Sequence, residues 1–259
     1  MKKKLASGAL TAISTLICLF LILPTVVVAP VSFTTTDYIT FPPIGFSTQW
    51  YEAFFERPEW WGSLVTSTIV ALGTTVIATT LCTMIALGLP KLPRRANRLI
   101  SFFFLLPMIV PAIITAVALY QPFARLNIIA TLPGLVLAHT ILAMPFVIIN
   151  ISAVVQKLDW RVVDAARSLG ASPAKAFRRV TLPILAPGIA AGAVFAFLTS
   201  FDEVVVSLFI SGTNAMPLPV QMWNGIRFEI SPIVAAASCL LLVVSCLLLT
   251  IFWLLKRKT

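Results

Sequence analysis

The chain has 259 residues, of which 59% are hydrophobic and 11% charged, with a mean hydropathy of +1.00. This composition excludes the soluble globular classes and places the chain among multi-spanning membrane proteins. The net charge of +10 has a topological explanation, given below, so no nucleic-acid partner is expected.

A helix needs about 20 largely apolar residues to cross the hydrocarbon core. Such stretches lie near 7–30, 63–89, 99–120, 131–153, 186–211 and 232–255. They predict an all-α membrane protein, a single transmembrane domain over residues 1–259 with six spans. The first stretch follows Lys2, Lys3 and Lys4 like a secretory signal, but its length argues for a retained anchor. The segment 31–61 carries Asp37, Glu52, Glu56 and Glu59, a Pro42-Pro43 break, and Trp50, Trp60 and Trp61. Its acidity suits the outer side, and Trp60 and Trp61 read as an interfacial aromatic anchor.

The second span is rich in Thr66, Ser67, Thr68, Thr74, Thr75, Thr79 and Thr80, residues that let membrane helices approach and hydrogen-bond. Pro24, Pro107, Pro111, Pro133 and Pro145 fall in or at the ends of spans, where a missing backbone donor bends a helix. The single histidine, His139, has no neighbouring Glu or Cys cluster and reads as a buried hydrogen-bonding residue. Cys18, Cys82, Cys239 and Cys246 all sit in apolar spans and read as small hydrophobes, without a disulfide or metal framework.

Cytoplasmic loops retain Lys and Arg. With the N-terminus inside, sixteen of the nineteen basic residues fall on the inner side, and Arg57, Arg125 and Arg227 fall outside. Both termini are therefore expected in the cytoplasm. The cytoplasmic loop 154–185 reads as two short helices. The first, from about Leu158 to Leu169, should stop at Gly170 in a left-handed conformation. Ser172 should cap the second, with Pro173 at its first position. That helix should reach about Val180, Leu182-Pro183 should end it, and Pro187-Gly188 should open the fifth span. Small Ala165, Ala166, Ala171, Ala174 and Ala176, with Phe177 as an apolar anchor, suit insertion into a partner's groove. A plain basic loop is the alternative.

In the fifth span Gly188, Gly192, Ala196, Thr199 and Glu203 recur at steps of four and three, drifting down one helical face. If the helix persists that far, Glu203 ends this stripe, with Asp202 about 100° away. A carboxylate at mid-bilayer costs roughly 2.5–3.5 kcal/mol, so such acids face a cavity, a partner or a pathway. Two readings stay open: the pair caps a helix or meets Arg227, or at least one acid accepts a cationic solute.

The series Asp164-Ala165-Ala166, three residues, Gly170, nine residues, Val180-x-Leu182-Pro183 resembles the EAA loop of permease subunits in binding-protein-dependent ABC importers. The family pattern is Glu-Ala-Ala, three residues, Gly, nine residues, Ile-x-Leu-Pro; Asp and Val are conservative departures from it. The resemblance implies a type I ABC importer permease fold. It assigns Asp164, Ala165, Ala166, Gly170, Phe177, Leu182 and Pro183 to coupling with an ATPase. The stretch Ser200-Phe201-Asp202-Glu203-Val204-Val205-Val206-Ser207 is similar to that of spermidine/putrescine permeases. So are Leu218-Pro219, Met222-Trp223, Gly225, Arg227-Phe228 and Ile230-Ser231-Pro232.

The resemblance implies half of a translocation pathway for a small amine-bearing, polyamine-like solute, with Asp202 and Glu203 on the pathway. An opine, an amino acid derivative or an aminophosphonate is the alternative solute. Expected partners are an ABC ATPase dimer, a second permease giving a homologous heterodimer, and a periplasmic solute-binding protein, at the bacterial inner membrane. No segment of the form Gly-x4-Gly-Lys-Ser/Thr occurs, so no cofactor is expected on this chain, and ATP and Mg belong to the partner subunits. A self-sufficient secondary transporter would need ion-coordinating groups near the midplane, and apart from the two acids the spans offer few. An intramembrane hydrolase would need a nucleophile or metal set that the spans lack, so no enzymatic activity is expected.

Overall fold

The computed structural model describes residues 2–229 and 231–257; Ile230, named above, and Lys258, one of the inner basic residues counted above, lie outside the described residues. Twelve α-helices occur among the described residues: α1 (Lys2–Val31), α2 (Gln49–Glu56), α3 (Pro58–Gly88), α4 (Arg94–Ile109), α5 (Ala112–Arg125), α6 (Leu132–Val155), α7 (Trp160–Ser168), α8 (Pro173–Ala176), α9 (Leu182–Phe201), α10 (Val205–Ile210), α11 (Leu218–Phe228) and α12 (Ile233–Arg257). They divide into two compact units, Met1–Trp61 with Met222–Val244, and Gly62–Gln221 with Ser245–Thr259.

The first unit contains the long apolar span Leu10–Val31 and the loop that follows it. That loop is tied to α2 by polar groups: the Trp50 indole N–H donates to the Thr34 carbonyl at 3.0 Å, and the Ser32 and Tyr51 hydroxyls meet at 2.7 Å. Phe33 stacks on Phe46 with centroids 4.9 Å apart. The expected aromatic anchor divides in two. Trp60 is only 2% exposed and packs on buried Phe54, whereas Trp61 is 46% exposed beside Phe55. Successive residues on a helix diverge by about 100°, so one Trp enters the core of this unit and its neighbour leaves it.

The second unit is organised around α6, which begins with a built cap: the Thr131 hydroxyl accepts the Gly134 N–H at 3.2 Å, with Pro133 in the first turn. α6 packs along α9, and the small residues foreseen on the fifth span make that approach close. A Cβ added at Gly188 would stand 2.7 Å from Val154 Cγ2 and 3.1 Å from the Asn150 carbonyl oxygen; one at Gly192 would stand 3.0 Å from Val147 Cγ1. The Ser/Thr-rich α3 uses most of its hydroxyls on itself, since those of Thr68, Thr75, Thr79 and Thr80 donate to carbonyls four residues back. Two reach across: Thr74 donates to the Val136 carbonyl of α6 at 3.4 Å, and Ser67 accepts the Leu218 N–H at 2.8 Å.

Five stretches among the described residues are long and apolar enough to cross a bilayer: Leu10–Val31, Pro58–Lys91, Leu132–Val155, Pro173–Phe201 and Ile233–Thr250. The third expected span, 99–120, is a pair, α4 and α5, bent by 106° at Val110-Pro111; the pair makes a sixth span if it counts as one. Pro111 cannot continue the hydrogen-bond ladder of α4 and starts a new helix instead.

Candidate functional site

Two regions of the second unit carry the residues singled out by sequence. The first is a solvent-exposed elbow. The Asp159 carboxylate caps α7 by accepting the Arg161 N–H at 3.0 Å. At the other end Gly170 takes φ +87°. The Gly170 N–H bonds the Arg167 carbonyl at 3.0 Å and the Ala171 N–H bonds the Ala166 carbonyl at 3.1 Å. This pair of bonds is the Schellman closure that a left-handed glycine permits. Ser172 then caps α8, accepting the Lys175 N–H at 3.3 Å, with Pro173 at the start. Both local expectations for the elbow are met.

The end of the second elbow helix differs from expectation. Leu182-Pro183 does not stop it: Phe177–Thr181 forms a π-helical turn, with the Leu182 N–H bonding the Phe177 carbonyl, and the helix runs on into α9. In a regular helix the Pro183 ring would clash with the carbonyl four residues back. Widening the preceding turn by one residue accommodates the ring without ending the helix. Pro173–Phe201 is thus one 29-residue helical stretch.

Asp164, Ala165, Gly170, Phe177, Leu182 and Pro183 are exposed and Ala166 is half-buried. Asp164 lines a shallow dent with Arg167, Ser168, Ala171 and Pro173, next to a basic face of Lys175, Arg178 and Arg179. Sequence reasoning passed over Leu169, which is 89% exposed at the tip beside Gly170.

The second region lies at the far end of α9. The helix does not persist to Glu203 but ends at Phe201, with Asp202 as its exposed C-cap residue, and α10 starts at Val205. Glu203 is half-buried, and its Oε1 accepts the Val206 N–H at 2.8 Å. This bond satisfies one of the free backbone donors in the first turn of α10. Of the structural alternatives left open, capping is therefore realised by Glu203. The Arg227 guanidinium, in the first unit, lies over the Phe228 ring at 5.5 Å.

Immediately beneath the break lies a buried polar cluster. His139, 1% exposed, has Nδ1 2.8 Å from Ser200 Oγ and Nε2 2.9 Å from Ser207 Oγ. The Ser200 hydroxyl donates to Thr74 Oγ1 at 3.4 Å, and all three hydroxyl residues are buried. The hydrogen-bonding role expected of His139 is observed, but its partners had not been foreseen. The available signal was a serine on each side of the acid pair. No group of three or more His, Cys, Asp or Glu side chains able to hold a metal occurs among the described residues.

The profile of the family described as "binding-protein-dependent transport system inner membrane component" matches residues 83–259. The chain belongs to that family. This permease is 29% identical to the spermidine/putrescine transport system permease protein PotC of Haemophilus influenzae, with 83% of each chain covered. It is 30% identical to PotC of Escherichia coli, covering 78% of this chain and 76% of that one. The putrescine transport system permease protein PotI of Escherichia coli is 29% identical, over 86% and 82% of the two chains.

Among solved structures, a bacterial ABC transporter involved in import of the acidic polysaccharide alginate matches with a TM-score of 0.73 at 14% identity, covering 100% of this chain and 97% of that one. The MetNI methionine ABC transporter, in inward-facing conformations, matches with a TM-score of 0.58 at 21% identity, covering 78% and 98%. The permease is therefore an all-α, multi-pass inner-membrane subunit with the ABC importer permease fold, a transport component similar to polyamine permeases. A fold found in importers of such different solutes says little about the cargo of this one, which has to be argued from side chains.

Proposed function

We propose that this chain forms half of the translocation pathway of an ATP-driven importer for a small polyamine-like cation, and that its elbow docks on a partner ATPase. Both termini and the elbow face the cytoplasm, as the distribution of basic residues favours. The partners are an ATPase dimer, a second, homologous permease and a periplasmic solute-binding protein. ATP and Mg stay on the ATPase subunits, and this chain brings no cofactor.

One observation carries the proposal. The elbow and the acidic break stand at the two ends of the continuous stretch Pro173–Phe201, a rod of roughly 40 Å at 1.5 Å per residue. A push on the exposed face of Asp164, Ala165, Ala166 and Gly170, passed through Phe177, Leu182 and Pro183, therefore has a short covalent route to Asp202 and Glu203. ATP-dependent closure of the ATPase pair would bias the permease between two conformations, and the solute responds to the one in which the acids are presented to it. Two neighbouring carboxylates suit an amine-bearing cation electrostatically, and the likeness to spermidine/putrescine permeases supports the same solute class.

The test is Ala165→Trp in the complex reconstituted with its partners. Ala165 is exposed, so the indole leaves the fold intact while filling the space a docking cleft would need. Solute-stimulated ATP hydrolysis should fall at least about tenfold, the effect of 1.4 kcal/mol, with the thermal melt of the isolated permease unchanged. Full stimulation in this variant would overturn the docking role.

A further inference from the structure

We infer that His139 is a positioning residue for the acidic break: one imidazole holds the end of α9 and the start of α10 at a set separation, and so fixes how Asp202 and Glu203 are presented. The inference rests on the reading of these acids as solute-facing.

The hydrogen-bond chain has one self-consistent direction. The Thr74 hydroxyl donates to the Val136 carbonyl, and the Ser200 hydroxyl donates to Thr74 Oγ1. Ser200 Oγ is then free to accept from His139, which places the ring proton on Nδ1. Nε2 becomes an acceptor, and the Ser207 hydroxyl donates to it. Each hydroxyl proton and each ring nitrogen is used once, from α10 through α6 and α9 to α3, and the chain terminates on a backbone carbonyl of α6. A neutral imidazole of this tautomer gives every O–H and N–H proton of the chain an acceptor. A buried network with every member satisfied specifies one arrangement of its elements.

What it specifies is the break. Ser200 is the second-last residue of α9 and Ser207 the third of α10, so the imidazole bridges the two flanks of Asp202-Glu203-Val204. A separate bond fixes the far end of α10, where the Ile210 carbonyl accepts the Ala130 N–H at 2.8 Å. The backbone on both sides of the acids is thus anchored to buried groups, while the Asp202 side chain remains exposed. The carboxyl groups at the break are held on a fixed backbone while the Asp202 side chain stays open to a ligand, which is the preorganisation a binding site needs.

The experiment uses the complex with its partner subunits in proteoliposomes, measuring radiolabelled spermidine uptake and ATP hydrolysis together, so that the readout is spermidine moved per ATP. The acid-neutralised D202N/E203Q variant should lower uptake at least about tenfold. H139L should lower the ratio by about fivefold, the size of one neutral buried hydrogen bond. H139Q offers a carbonyl and an amide at nearly the same separation as the ring nitrogens and should restore the ratio to within about twofold. In the D202N/E203Q background H139L should add nothing, because groups that act through one another are not additive. S207A removes one end of the bridge and should lower the ratio in the same direction, which keeps the test available if H139L fails to insert. An unchanged ratio in H139L and S207A alongside impaired D202N/E203Q, or a full additive loss in the combined variant, overturns the positioning role and leaves the reading of the acids standing. Normal uptake by D202N/E203Q overturns the reading of the acids, and the inference with it.

Discussion

The elbow and the acidic break occupy opposite ends of the same helical stretch and are stabilised in opposite ways. In the elbow, local bonds hold the shape: the Asp159 cap, the Schellman closure at Gly170 and the Ser172 cap are all made between residues a few positions apart, and most side chains point to solvent, with Trp160 and Ala176 turned inward. At the break, helices distant in sequence meet, and His139 joins Ser200 and Ser207 from 61 and 68 residues away. An element held by its own backbone can be displaced as a body without unfolding, which suits the lever proposed for the elbow. An element held by buried, satisfied partners keeps its geometry while its surroundings change, which suits the solute site proposed for the break.

Substitutions can sharpen this contrast, because added volume should be felt where helices pack closely and not where side chains are exposed. Gly188→Val inserts a side chain where Val154 and the Asn150 carbonyl already stand 2.7 and 3.1 Å from the first added atom. Overpacking of this kind costs about 1–3 kcal/mol, so the melting temperature in detergent should drop measurably. Ala165→Trp, a larger change, should leave the melt where it was; a comparable drop would show that the elbow is integral to the core and not a free lever.

Next in size is the split between the two roles of Glu203. Glu203→Ala removes the acceptor for the Val206 N–H and should cost about 0.5–2 kcal/mol, as lost caps do. Glu203→Gln retains a side-chain oxygen for that N–H and should preserve stability while still weakening uptake of a divalent or trivalent amine. Loss of stability without loss of uptake in the alanine variant would leave Glu203 as a cap alone.

The smallest effect is expected at Leu169, whose side chain is 89% exposed. Leu169→Ser should shift stability by less than about 0.5 kcal/mol. If the tip is a docking contact, the same variant should nevertheless weaken retention of the ATPase during purification, and undiminished retention would exclude Leu169 from the contact.

Much of the elbow was legible in the sequence because its determinants are contiguous. Gly170 had to adopt a positive φ to end α7, and Ser172-Pro173 is a helix start wherever it is exposed. Elsewhere the same local reasoning misled. Pro183 looked like a stop, yet one wide turn absorbed it, since α9 is held by its packing on α6 more than by its first ladder bond. Trp60 and Trp61 looked like a pair, yet only the position of Phe54 decides which of the two is buried. The fifth span looked continuous to Glu203, and the acids that were to end its stripe instead interrupt it.

By itself the sequence determined the membrane class, the approximate positions of the spans and the shape of the elbow, because apolar length and capping chemistry act over one to a few turns. It also carried the family, through spacings that a linear reading preserves. Only the tertiary structure decided the 106° bend between α4 and α5, the place where α9 breaks, and the meeting of His139 with two serines around the acid pair. These depend on which helices lie against one another, and a buried polar group is satisfied by whatever neighbour packing supplies, however distant along the chain.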